Sequence, residues 1–317
     1  MKGRLHQVQI RINAGDSHRP GQWSWAAKAG ILILMVLGIR ATGGAQDTPY
    51  FVTYSHYMEE PGNLEVANKS ALGNPPVGSR FLGSSMELEY GVKAWWSTEL
   101  YLDGVAAAQD STMFTGFRWE NRFRPLAREH WINPVLYVEF ENINGANKSL
   151  LEVVGHDGVD DFTDRNADTR SEKKREIELK LILGSKFKGW NLSENLIFEK
   201  NLAGEPWEFG YAVGASRPLK LAASATKCTF CAQRFNAGFE MYGGLGDRYT
   251  PGLHDTSHYL GPAIRWSSPS GLTLSFSPQF GLNEHSLARI YRFGISYEIS
   301  QVFGRMGFHS RGRTNQP

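Results

Sequence analysis

GLTLSFSPQFGL (residues 271–282), NEHS (283–286) and LARIYRFGISYEIS (287–300) decide the fold. In the first run Leu272, Leu274, Phe276, Pro278, Phe280 and Leu282 alternate with Thr273, Ser275, Ser277, Gln279 and Gly281. In the last run Tyr291, Phe293, Ile295, Tyr297 and Ile299 alternate with Arg292, Gly294, Ser296, Glu298 and Ser300. A period of two is the mark of a β-strand with one apolar and one polar face. Each run has the length of a strand that crosses a bilayer, roughly 9–11 residues, whereas strands of soluble proteins are commonest at about 5–6. The alternation alone also fits a soluble sandwich or a lipocalin-like barrel with its apolar face inward, so the rest of the chain has to decide.

The composition is compatible with a barrel in a membrane. The chain has 317 residues, 41% of them hydrophobic, and a formal net charge of +2; its mean hydropathy is −0.37. No apolar run outside the N-terminus is long enough for a spanning helix, and a transmembrane barrel hides its apolar band by alternation. The near-neutral charge gives no footprint for nucleic acid. At the N-terminus, Lys2, Arg4, Arg11, Arg19 and Lys28 precede the apolar run 31–37, and Gly43-Gly44-Ala45 follow. This reads as an export signal over residues 1–45, cleaved near Ala45, with the barrel over 46–303 and a tail over 304–317.

Strands continue outward from the C-terminal pair at regular spacing. Alternating runs fall near 86–92, 96–102, 113–124, 135–142, 177–183, 190–198, 207–213, 235–241 and 257–267. With the C-terminal pair these make eleven, and the β-rich segment 50–58 is taken as the first strand to give the even number that single-chain bacterial barrels require. Tight turns near 94–95, 187–189 and 268–270 fall on one side. The loops 59–84, 144–172 and 245–256 fall on the other, the acidic stretch 144–172 being read as mostly solvated. Residues 125–134 and 218–231 are long for the tight side. The expected fold class is all-β: a transmembrane antiparallel up-and-down β-barrel of about 12 strands.

The polar faces carry Arg118, Glu120, Arg122, Glu139, Glu141, Glu178, Lys180, Arg234, Glu240, Arg292 and Glu298. In a barrel these project into the lumen, where opposite charges on neighbouring strands can pair; Arg118 and Arg122 are expected to meet Glu139 and Glu141. As a pattern over residues 50–303, the chain resembles bacterial outer-membrane β-barrel proteins: period-two strands, an export signal and the aromatic-rich last strand LARIYRFGISYEIS. The resemblance implies an outer-membrane location, lipids and the barrel-assembly machinery as partners, and a final strand, ending here near Phe303, read by that machinery.

Discrete sites are few. Cys228 and Cys231 have C-x-x-C spacing, but one pair supplies only two of the four ligands zinc normally takes; a local disulfide is the expectation in an oxidising compartment. His254 and His258 read as two solvated loop histidines. His56, Glu59 and Glu60 beside Pro61-Gly62 read as a turn with charged flanks, with a calcium site as the alternative. Gly243-Gly244-Leu245-Gly246 reads as a loop, since no helix follows to make a phosphate cradle. Neither a metal nor another cofactor is expected. The leading functional reading is a passive pore or small-solute transporter with a charged lumen. A structural or loop-binding barrel stands as the alternative. A lipid-modifying enzyme is weaker, because Ser257 and His258 are adjacent and on a strand would face opposite ways.

Overall fold

The computed structural model describes residues 48–149, 153–221 and 228–302. The expected signal over 1–45, Ala45, Phe303 and the tail 304–317 lie outside the described residues.

Twelve antiparallel strands close into one barrel, each hydrogen-bonded to its neighbours in sequence and the last to the first. The first six are β1 (Leu64–Gly73), β2 (Phe81–Lys93), β3 (Trp96–Ala107), β4 (Thr112–Phe123), β5 (Asn133–Asn144) and β6 (Lys173–Phe187). The second six are β7 (Trp190–Asn201), β8 (Trp207–Pro218), β9 (Phe235–Asp247), β10 (His258–Ser267), β11 (Leu272–Gly281) and β12 (Arg289–Ile299). The expected number is right, but the first strand is not where it was expected. Residues 50–58 are not a strand; β1 lies within the stretch read as a loop. The Gly243–Gly246 run likewise belongs to the end of β9.

The burial pattern is that of a soluble protein turned inside out. On the outside Trp119 is 53% exposed and Leu136 52%, while inside Glu120, Glu139, Glu178 and Glu240 are fully buried. Phe276 and Phe293, paired across β11 and β12, are both outward, with ring centroids 5.2 Å apart. An apolar outer band around a polar interior suits lipid outside and hydrophilic groups within. No described helix is long and apolar enough to cross a membrane, so the strands, 10 to 15 residues long, do the crossing.

The tight turns share one end of the barrel. Between β6 and β7 the connection is only Lys188-Gly189, with φ of 48° and 83°; this left-handed pair matches the twist of a two-residue hairpin, and glycine takes the second place without strain. The longer connection 124–132 and the described parts 219–221 and 228–234 of the next also lie at this short-turn end, and residues 145–149 and 153–172 at the opposite, long-loop end.

Candidate functional site

The lumen is occupied by the chain's own N-terminal segment. Residues 48–62 enter the barrel from the short-turn end and return there to begin β1. The Glu240 carboxylate on β9 accepts backbone N–H bonds from Phe51 (3.1 Å), Val52 (3.0 Å) and Thr53 (3.1 Å), and one from Gln279 Nε2 (2.9 Å). Asn195 brackets Tyr54, its Oδ1 accepting the Tyr54 N–H at 2.6 Å and its Nδ2 donating to the Tyr54 carbonyl at 2.9 Å. These bonds supply partners that a segment with no sheet neighbour would otherwise lack. The wall makes room with glycines: a Cβ at Gly214 would stand 2.7 Å from the Tyr50 ring, and one at Gly184 2.1 Å from His56 Nδ1. His56 is therefore buried in the lumen, where Glu129 is 3.9 Å from its Nε2. Glu59 is buried as well, and its N–H reaches Glu89 at 3.4 Å. The expected turn at Pro61-Gly62 is present, the Asn63 N–H bonding the Glu60 carbonyl at 3.0 Å, but His56 and Glu59 before it belong to an inserted segment that the reading missed.

The acidic stretch 144–172 closes the other end and is not mostly solvated. Val153, Val154 and Phe162 are buried, Phe162 stacks on Phe81 at 5.3 Å, and Gly155 bridges to Gly246. Short apolar patches between acidic groups turned inward, which composition alone conceals. Lys148 Nζ ties the loop by donating to the Asp164 carbonyl (2.9 Å) and to Asn166 Oδ1 (2.8 Å). Beneath the loop a cavity of about 240 Å³ is lined by Arg118, Glu141, Asp157, Asp161, Glu199 and Glu208, among others. Burial, reinforced by the Asp161 carboxylate, pushes the Asp157 carboxyl up to about 7. A second cavity of about 130 Å³ lies between the inserted segment and the wall, touching Thr53, Glu65, Lys69, Glu87, Glu89 and Glu99.

Between the two lies a layer of buried charge. Arg118 bonds Asp103 through Nε at 2.8 Å and Glu139 through Nη1 at 3.3 Å, with its guanidinium 4.2 Å from the centre of the Tyr101 ring. Arg122 pairs with Glu120 at 2.7 Å, with Glu99 at 3.7 Å and closely with Glu89. Lys180 bonds Glu178 at 2.7 Å and sits over the rings of Tyr54 and Tyr137. Tyr54 and Tyr101 both donate to Glu120. The expected pairing of the two arginines with Glu139 and Glu141 is realised at Glu139 for Arg118; Arg122 instead turns back to β2 and β3. Glu141 faces Arg118 across the sheet and lines the larger cavity. Arg292 donates to the Tyr242 hydroxyl at 3.1 Å, and Glu298 accepts from Asn63 at 2.7 Å. Arg234 ends a one-turn 3-10 segment before β9 and stands at the barrel's short-turn end, not on the wall. Lys69, Glu87, Glu89, Glu99 and Asp103 join the lumen charges without having been among those expected there. Four of them alternate on the polar faces of β2 and β3, and that alternation was the available signal.

The strand register arranges the acids in a way composition cannot show. Glu65 on β1 stands directly opposite Glu298 on β12 and Glu89 on β2. Glu89 faces Glu99, Glu99 faces Glu120, and Glu120 faces Glu139. Glu139 then faces Glu178, Glu178 faces Glu199, Glu199 faces Glu208, and Glu208 faces Asp247. This carboxylate ladder passes without a break from β12 through β1 to β9. Strands tilt in a barrel, so a line across them climbs. Glu65 and Glu298 lie at the short-turn end, Glu139 at mid-strand, and Glu208 and Asp247 at the long-loop end.

The remaining candidates are local. Cys228 and Cys231 are joined by a disulfide with Cα atoms 5.7 Å apart. His254 is exposed and contacts Asp255, whereas His258, against the expectation of a solvated loop residue, is buried at the start of β10. Its ring bonds the Tyr211 hydroxyl (3.1 Å) and Thr256 (3.0 Å), while the Ser257 hydroxyl donates to the Asp157 carbonyl. Ser257 and His258 thus form no nucleophile and base pair. Among the described residues, the carboxylates Glu141, Glu178 and Glu199 come close enough together to share an ion.

No protein-family model matches the chain, and no curated protein matches it. Among solved structures it is similar to an outer-membrane channel from Pseudomonas putida F1, with a TM-score of 0.51 at 8% identity over 76% of this chain and 96% of that one. It is also similar to the KdgM porin in complex with disordered oligogalacturonate, with a TM-score of 0.46 at 5% identity over 74% and 98%. A further likeness is to LpxR from Salmonella typhimurium, with a TM-score of 0.39 at 9% identity over 74% and 99%. At such identities the likeness shows the fold, the closed antiparallel barrel of outer-membrane proteins.

Proposed function

We propose that the protein is an outer-membrane channel for small polar solutes, held closed in this conformation by two pieces of its own chain. Residues 48–62 fill the periplasmic half of the lumen and loop 145–172 caps the external mouth. The observation that carries this reading is the lining: buried carboxylates, guanidiniums and ammoniums with two polar cavities, where a barrel serving only as an anchor could fill its interior with apolar side chains at lower desolvation cost. The inserted segment is held both by hydrogen bonds to wall side chains, chiefly Glu240, and by apolar contacts of Phe51, Val52, Tyr54 and Met58 with the inside of the wall. The export signal, the barrel-assembly machinery and lipid contact belong to the same proposal.

Single-channel recording on the full-length protein in planar bilayers tests it. The wild-type protein should be silent or open rarely, and Glu240→Ala, which removes the acceptor for three consecutive N–H groups, should open readily. Silence of both proteins, with folding of each shown by heat-dependent gel mobility, would leave a structural or loop-binding barrel as the better reading.

A further inference from the structure

The junction between β10 and β11 is interrupted. Its register runs from Leu260 opposite Phe280 to Ile264 opposite Phe276, and the hydrogen-bond ladder skips Gly261 to Ala263 and Ser277 to Gln279. The same register sets Pro262 directly opposite Pro278. Both prolines turn their carbonyls into this junction: the Ser277 hydroxyl donates to the Pro262 carbonyl at 2.8 Å, and a Cβ at Gly261 would stand 2.1 Å from the Pro278 carbonyl oxygen. Two residues facing each other in this way would exchange two N–H···O bonds, and neither proline has an N–H to give. On their far sides the two stay in register with Phe239 of β9 and Tyr291 of β12, so the barrel remains closed and the defect is local.

Outside this break the wall is dented. A groove of about 510 Å³ is lined by Phe239, Leu260, Gly261, Pro262, Phe280 and Leu282. The four large side chains are exposed on the outer face, with the short Gly261 and Pro262 between them. The groove runs from Leu282 at the long-loop end to the level of Phe239, about 13 Å along the strands. At its outer end Arg289 of β12 stands directly opposite Phe280 and is exposed; among the described residues no carboxylate pairs with it. An apolar trough with a cation at its outer end has the shape and charge of a site for a single amphiphile.

We propose that this groove binds one acyl chain of an anionic membrane lipid, whose phosphate is held by Arg289 at the external end of the wall. The inference rests on the barrel standing in a membrane and not on its conducting. Within a bilayer the hydrophobic effect does not select the groove, because the surrounding chains are as apolar as its sides. Selection comes from close packing along a concave surface and from the guanidinium, whose planar fork matches a phosphate bidentately. A chain seated there also covers the junction at which the wall lacks two ladder bonds.

Native mass spectrometry of the full-length protein, titrated in detergent with dimyristoylphosphatidylglycerol or with dimyristoylphosphatidylcholine, tests this. The wild-type protein should retain phosphatidylglycerol saturably, and at least about threefold more of it than of phosphatidylcholine. Arg289→Gln should abolish that preference. Leu260→Trp, which fills the groove from an outward position, should lower retention of phosphatidylglycerol at least about threefold. Folding of each variant is read from heat-dependent gel mobility, and Leu282→Trp at the outer end of the groove replaces Leu260→Trp should the latter not fold. Absence of saturable retention, equal retention of the two lipids by the wild-type protein, or retention that neither substitution alters would overturn the inference and leave the channel reading untouched. A dimer that Leu260→Trp dissociates would assign the groove to a second copy of the chain, and would overturn it as well.

Discussion

Glu240 concentrates the attachment of the inserted segment in one side chain. A carboxylate that accepts several backbone N–H groups is bound by charge-assisted hydrogen bonds, each of about 1.5–3 kcal/mol. Glu240→Ala should therefore weaken docking of residues 48–62 by roughly 3 kcal/mol or more. Protease cleavage within 50–58 of the otherwise folded barrel measures this, and resistance equal to wild type would show that the aromatic contacts of Tyr50 and Phe51 suffice. The outer wall offers the opposite kind of residue. Phe293→Arg or Phe276→Arg puts a guanidinium among lipid chains, with an expected loss of about 2–4 kcal/mol near the midplane, to be read from denaturant titration in vesicles. The face of both phenylalanines was legible from alternation alone, because the outward positions from Leu272 to Phe280 on β11 and from Tyr291 to Ile299 on β12 are all apolar. Nothing local marked Glu240 as an attachment point; its partners lie at residues 51–53, almost 190 positions earlier.

Among the elements, loop 145–172 has its own pH dependence. The Asp157 carboxyl titrates at about 7 in the inserted loop against an ordinary 3.8. A group whose acid form is favoured by insertion opposes insertion once ionised, so the docked loop loses stability as pH rises from about 4 to about 7 and loses no more above that. Asp161 and Glu208 add to the repulsion and Lys174 offsets part of it. Hydrogen exchange of residues 153–169 should accelerate over that window and not in Asp157→Asn; acceleration toward acid pH would contradict this account. β1 shows why one strand escaped the sequence reading. Its outward positions include Asn68 and Ser70, which hydrogen-bond Ser84 of β2 on the outside of the wall, so the apolar beat that identified the other strands is missing. Residues 50–58, dense in aromatic and β-branched side chains, have the composition of a strand because they too are buried, but against the inside of the wall and with side-chain acceptors in place of a sheet neighbour.

For the molecule as a whole, strand number and the separation of faces followed from period-two alternation and parity. The ladder did not, because it depends on register between strands, and a shift of one residue would have pointed each carboxylate outward. The lumen also has two unlike halves. β1 to β7 carry most of the charge, while Gly210, Ala212 and Gly214 on β8, Gly261 and Ala263 on β10 and Gly294 and Ser296 on β12 leave hollow wall, and Tyr50 and Phe51 lie against part of it. Gly214→Val should push Tyr50 out of its place and raise open probability in bilayers without changing strand pairing; an unaltered channel would show that the segment can settle elsewhere. At the seam, Asn63 Nδ2 donates to Glu298, Asn63 Oδ1 accepts the Gln301 N–H at 3.0 Å, and the Val302 N–H reaches the Gly62 carbonyl at 2.9 Å. The joint therefore ties the root of the inserted segment to the last strand, across more than 200 residues of chain. Bringing such distant ends together is the slow, entropically opposed step of folding. A segment rooted at that joint is brought to the mouth of the bore by the same contacts that shut the cylinder, so seam and plug hang on one hinge. Asn63→Ala should then slow the appearance of the compact, heat-sensitive gel band during refolding more than it shifts the final yield.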